Sequence, residues 1–146
     1  MCAAPGYILC HPEVEQELVA EIAKAWKGLY PNGVQASGDI ARMNNNRSFN
    51  RVKSLLQSTK GEILLGGNLD ETDNFIEPTL VKVDSPTDPL LRDEAFGPII
   101  ALLTEADLDR ALITIRTICA TPLAVYIFSS DKKEQNKRGC FRRKVF

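Results

Sequence analysis

Two stretches put reactive or ligand-binding side chains where a fold can use them. The first is MCAAPGYILC at the start of the chain, where Cys2 stands a few residues ahead of an apolar run. A cysteine becomes a nucleophile when its thiolate is accessible and held by a positive group or backbone donors. The second is RDEAFGPII, where Glu94 and Phe96 stand just before Gly97-Pro98 and another apolar run. A carboxylate can accept hydrogen bonds from both hydroxyls of a ribose, and a neighbouring ring can pack a heteroaromatic group. Each stretch also has a plainer reading. Cys2 can be a thiol at a frayed terminus, and Glu94 with Phe96 can be a surface carboxylate beside a core ring. Residue types alone leave these alternatives open.

Other candidates are weaker. His11, the single histidine, sits between an apolar run and Pro12 and reads as a capping or surface residue. Nothing near it forms a nucleophile–base pair. Gly66-Gly67 follows an apolar run, but no G-x-G-x-x-G opens a helix behind it, so the pair reads as a turn rather than a phosphate cradle. The cysteines at 2, 10, 119 and 140 show no C-x-x-C spacing, and no metal site is expected. Cys10 and Cys119 read as small buried hydrophobes.

The elements that must position these residues follow from periodicity. Residues 6–10 read as a strand, and Pro12 suits the first turn of the helix after it. Val14, Leu18, Ile22, Trp26 and Leu29 fall on one face of that helix, which Pro31, Asn32 and Gly33 end. A second helix is predicted over 47–57, with Phe49, Val52, Leu55 and Leu56 inward and one of Asn44, Asn45 and Asn46 as its cap. Strands are expected at 62–65, 79–83, 98–103 and 123–128. Asp88 suits the cap of a short helical turn. Thr104 with Asp107 has the form of a capping box for a helix whose inward face is Leu108, Ala111, Leu112, Ile115 and Ile118. Asp131 is placed to start a last helix. Apolar strands alternating with amphipathic helices predict an α/β fold, a mostly parallel sheet with helices on both faces.

Composition narrows the partners. The chain has 146 residues, 44% of them hydrophobic and 25% charged, with a net charge of −1. That balance argues against nucleic acid or an anionic membrane as the main partner. No apolar run reaches the roughly 18 residues of a spanning helix, and the start lacks the form of a secretory signal. A cytoplasmic protein is the expectation.

Taken together, the segments resemble the catalytic domain of the NAD(P)-dependent aldehyde dehydrogenases. CAAPGYILC resembles the family's nucleophile segment and places Cys2 at the nucleophile. FIEPTLVKV and DSPTDPLLRDEAFGPII resemble the run that ends in Glu-x-Phe-Gly-Pro, and TPLAVYIFSSD resembles the Pro-Leu-Ala-x-Tyr-x-Phe-Ser strand of the class 3, or fatty-aldehyde, branch. The resemblance implies an oxidoreductase acting through a cysteine thiohemiacetal and thioester, with NAD or NADP as cofactor and an aldehyde as substrate. It assigns the nicotinamide ribose to Glu94 and the ring contact to Phe96, and it admits a homo-oligomer. It also implies a partial catalytic domain over residues 1–136, followed by a divergent basic tail at 137–146. The family's pyrophosphate cradle, oxyanion asparagine and glutamate base have no counterpart here. The chain alone is therefore expected to bind nucleotide poorly and to be inactive. The alternatives are a non-catalytic interaction module and a gene fragment without function.

Overall fold

The parallel part of the sheet begins with Tyr7–Cys10 (β1), a four-residue apolar run paired with Ile99–Thr104 (β6) in the register Tyr7↔Ala101 to Cys10↔Thr104. On its other side β6 runs parallel to Thr79–Lys82 (β5), with Thr79 opposite Ile99. Glu62–Leu65 (β2) closes the order β1-β6-β5-β2 and is antiparallel to β5. Two of the three pairings are parallel, as the apolar strands predict. The computed structural model describes residues 5–136, so Cys2 and the basic tail lie outside the described residues.

Alternation along the strands sends their side chains to two faces. Val81, Ile99, Ala101 and Leu103 meet Phe49, Val52 and Leu56 of the helix Asn46–Ser58 (α2), with Leu90 and Leu91 of the short helix Pro89–Arg92 (α3). Ile118, from the helix Leu108–Ile118 (α4), packs on the same cluster. The opposite face carries Leu80, Lys82 and Leu102. There Lys82 Nζ lies 2.6 Å from Glu15 Oε1, on the helix Glu15–Leu29 (α1). Helices therefore stand on both faces, although the α1 side is less filled. No residue of α1 is buried and Leu29 is 68% exposed, so its predicted inward face is only partly covered.

Caps explain where the helices begin. Asn45 accepts from the Ser48 amide at 2.9 Å and so decides among the three asparagines. Asp88 caps α3 through the Leu90 amide. The expected Thr104–Asp107 capping box is corrected: Thr104 is still in β6, and Asp107 is itself the cap, bonded to the Arg110 amide at 2.8 Å. Asp131 accepts from the Lys133 amide and starts Lys132–Asn136 (α5).

Three further expectations change. The strand expected at 123–128 is absent among the described residues, where the segment has no ladder partner and Leu123, Tyr126 and Phe128 are exposed. A strand is defined by its neighbour's hydrogen bonds, which apolar alternation cannot supply by itself. Cys119 is exposed rather than buried, because it lies just past the last turn of α4, while Cys10 is half-buried. Finally, the polar run after Gly66-Gly67 holds a hairpin, Leu69–Asp70 (β3) with Phe75–Ile76 (β4). Both glycines have positive φ, and a Cβ on Gly66 would strike the Pro78 carbonyl, so the turn is the role they fill.

Candidate functional site

The loop that enters β6 is fastened at two points. Arg51, on α2, donates from Nη1 to the Glu94 carbonyl at 3.3 Å and from Nη2 to the Ala95 carbonyl. Two residues on, Gly97 lies so close to α2 that a Cβ there would sit 2.9 Å from Val52 Cγ1. Between these points Phe96 adopts φ +42°, a left-handed conformation rare for a bulky residue. The backbone of the loop thus faces the helix, and its side chains face outward. Phe96 is 71% exposed, which removes the core-ring reading of this residue. The Glu94 side chain is exposed too, and its carboxylate has no hydrogen-bond or ion-pair partner among the described residues. A free carboxylate beside an outward ring is a competent acceptor for a sugar diol with an attached heterocycle.

The loop lies at the amino ends of the parallel strands, not at the carboxyl ends where open α/β sheets usually bind ligands. Next to it is a cleft of about 290 Å³, lined by Pro5, Trp26, Tyr30, Pro78, Gly97 and Pro98 among others. Pro5 leads into β1, and β1 is fixed beside β6 there by the bond from the Ala101 amide to the Gly6 carbonyl at 3.2 Å. Cys2 lies three residues ahead of Pro5, outside the described residues.

The other sequence candidates have structural roles. His11 caps the turn Pro12–Val14, its Nδ1 accepting from the Glu13 amide at 3.3 Å. Cys10 stands at the far end of β1 from Pro5. Burial pushes its thiol up and the Glu15 carboxylate adds to this, against the opposing pull of Lys82. That combination makes a poor thiolate. No cluster of three metal-ligating side chains occurs among the described residues. Sequence reasoning missed Arg51, since an exposed cation on a helix carries no mark of a partner 43 residues away.

The model of the aldehyde dehydrogenase family matches residues 1–139. The chain belongs to that family. Beta-apo-4'-carotenal oxygenase of Neurospora crassa is 41% identical over 137 residues, covering 94% of this chain and 26% of that protein. Aldehyde dehydrogenase family 3 member A2 of Rattus norvegicus, a class 3 enzyme, is 37% identical over 132 residues, covering 90% and 27%. The substrate-bound structure of Staphylococcus aureus AldH superposes with a TM-score of 0.84 at 34% identity, covering 92% of this chain and 29% of that one. The chain thus spans about a quarter of the length of these two relatives. Within that quarter, this aldehyde dehydrogenase sequence folds as its solved relative does.

Proposed function

We propose that this chain serves the NAD(P)-dependent oxidation of an aldehyde to a carboxylic acid, with Cys2 as nucleophile, Glu94 as ribose ligand and Phe96 as the ring beside the nicotinamide. The observation that carries this reading is the fastened loop, which spends a disfavoured backbone conformation to turn a free carboxylate and an aromatic ring outward. Such strain is kept where a site needs it. Chain connectivity supports adding Cys2. Cys2 stands three residues ahead of Pro5 in the sequence, and Pro5 shares a cleft with Gly97 and Pro98.

The described residues fit the nicotinamide half of the cofactor. Glu94 would accept from the ribose hydroxyls, and Phe96 would pack against the ring; when bound, the nicotinamide supplies the hydride acceptor. The Cys2 thiolate would add to the aldehyde carbon, giving a thiohemiacetal. Loss of hydride from that carbon leaves a thioester on Sγ, and water then releases the acid and restores the thiol. For substrate we favour a long apolar aldehyde, a reading supported by the carotenal named for the Neurospora relative and by the apolar lining of the cleft.

A graft tests the assignment without requiring activity from 146 residues alone. These residues would replace the matching segment of Staphylococcus aureus AldH, with NADH formation followed on a long-chain aldehyde. The graft should be active, Cys2→Ala should lose about a thousandfold or more in kcat, and Cys10→Ala should be close to the parent. A graft as active with Cys2→Ala as without it would reject the nucleophile assignment.

A further inference from the structure

We propose that Arg51 is the positioning residue of the Glu94–Phe96 loop, holding from α2 the backbone that aims both side chains; the inference rests on the nucleotide reading of that loop. Arg51 sits on the exposed side of α2, and no carboxylate among the described residues is within ion-pair distance of it. Its hydrogen-bond partners are the carbonyl oxygens of Glu94, at 3.3 Å, and Ala95. Successive carbonyls of an extended chain point to opposite sides, so two on one guanidinium demand a curled backbone. Phe96 completes that curl at φ +42°.

Arginine suits this task in a way lysine does not. Its guanidinium is planar, always charged and carries five donors in a fixed fork, so it can hold two acceptors at once. Bonds from a charged donor are also the stronger kind. Gly97 against Val52 provides the second fastening, and the loop is spanned between the two. The conformation gains little for the fold, because it leaves an aromatic ring 71% exposed. Its evident effect is to present Glu94 and Phe96 in advance, which lowers the ordering cost of binding.

Two measurements on the 146-residue chain test this. Backbone ¹⁵N relaxation should give Glu94–Gly97 order parameters near the rigid value of about 0.85, falling below about 0.6 in Arg51→Ala. The amides of α2 and β6 and the urea midpoint should stay as they were, and Arg51→Lys should keep part of the order. A loop equally rigid in Arg51→Ala overturns the proposal, and so does a loss of order spread through α2 and β6. Ligand-observed titration with NAD⁺ adds a readout that a merely structural role would not move. Arg51→Ala and Glu94→Gln should each weaken binding by about threefold to tenfold, and the double variant should lose clearly less than the two losses combined, because Arg51 acts in part through Glu94. Additive losses would mean that Arg51 does not act through Glu94, which also overturns it. If the parent chain binds too weakly to titrate, the order parameters decide the case for Arg51, and the same NAD⁺ titration of the Staphylococcus aureus AldH graft with and without Glu94→Gln decides the ribose reading, which an unchanged affinity would refute.

Discussion

Phe96 concentrates the conflict between folding and use. A left-handed conformation costs a non-glycine residue about 1–2 kcal/mol, and its exposed ring returns little by burial. Phe96→Gly should therefore cost the fold no stability and is expected to gain up to about 1 kcal/mol in urea unfolding. The same change should weaken NAD⁺ binding, because the ring that packs the nicotinamide is gone. A clear loss of stability would show that the ring holds the fold together and would remove the functional reason for the strain. Cys10 makes the opposite case, a thiol kept quiet by its setting. Burial and then Glu15 raise its pKa, while Lys82 lowers it. Its thiolate therefore appears only at higher pH than an ordinary thiol's. Glu15→Gln should move the onset of iodoacetamide labelling at Cys10 to lower pH, and Lys82→Ala should move it to higher pH. At pH 7 the exposed Cys119 should label faster than Cys10. Peptide mass spectrometry separates the two, and equal rates would contradict the burial argument.

Among the elements, α3 is the short piece that leads into the site, and one carboxylate secures it. Asp88 is 8% exposed and accepts from Thr59 Oγ1 at 2.8 Å, the Lys60 amide at 3.1 Å and the Leu90 amide at 2.9 Å. It joins the end of α2 to the start of α3, one helical turn before the Glu94 loop. Asp88→Ala should lose about 3 kcal/mol in urea unfolding, since several charge-assisted bonds disappear and buried donors are left unpaired. A loss under about 0.5 kcal/mol would show that water replaces the carboxylate. Asp88 as a cap was legible from Pro89 behind it, and an asparagine cap before Phe49 and Val52 was legible too, although not which of Asn44, Asn45 and Asn46 it is. Local rules of this kind read helices well. The β3–β4 hairpin was not legible, because two-residue strands have no period to detect. What holds it is non-local: Gln35 Nε2 reaches Asp70 at 2.8 Å, and Arg42 Nε reaches Asp73 at 2.8 Å while its guanidinium lies 4.8 Å from the Phe75 ring centroid. The same limit applies at the site. Glu94 and Phe96 stood out by type and by their place before Gly97-Pro98, whereas Arg51 acts through two carbonyls, which any residue carries.

At the scale of the whole molecule, burial is lopsided. The α2 face of the sheet holds a packed cluster, whereas α1 on the other face buries no residue. Among the described residues β1 stands at an edge of the sheet, and Leu123, Tyr126 and Phe128 stand 77%, 61% and 94% exposed on a segment without a ladder partner. Unpaired strand edges and apolar strips of this kind favour pairing with another chain. A second copy offers the same edge and the same strip, so self-association is the expected behaviour of the 146-residue chain. Sedimentation velocity should show its mean mass rising with concentration. Because Tyr126 and Phe128 contribute little to the core, replacing both with serine should shift that rise to higher concentration while leaving the urea midpoint in place. A parent chain that sediments as a monomer throughout would mean that these side chains are tolerated in water. An equal association in the doubly substituted chain would move the contact to the half-covered face of α1 and the cleft at Trp26 and Leu29.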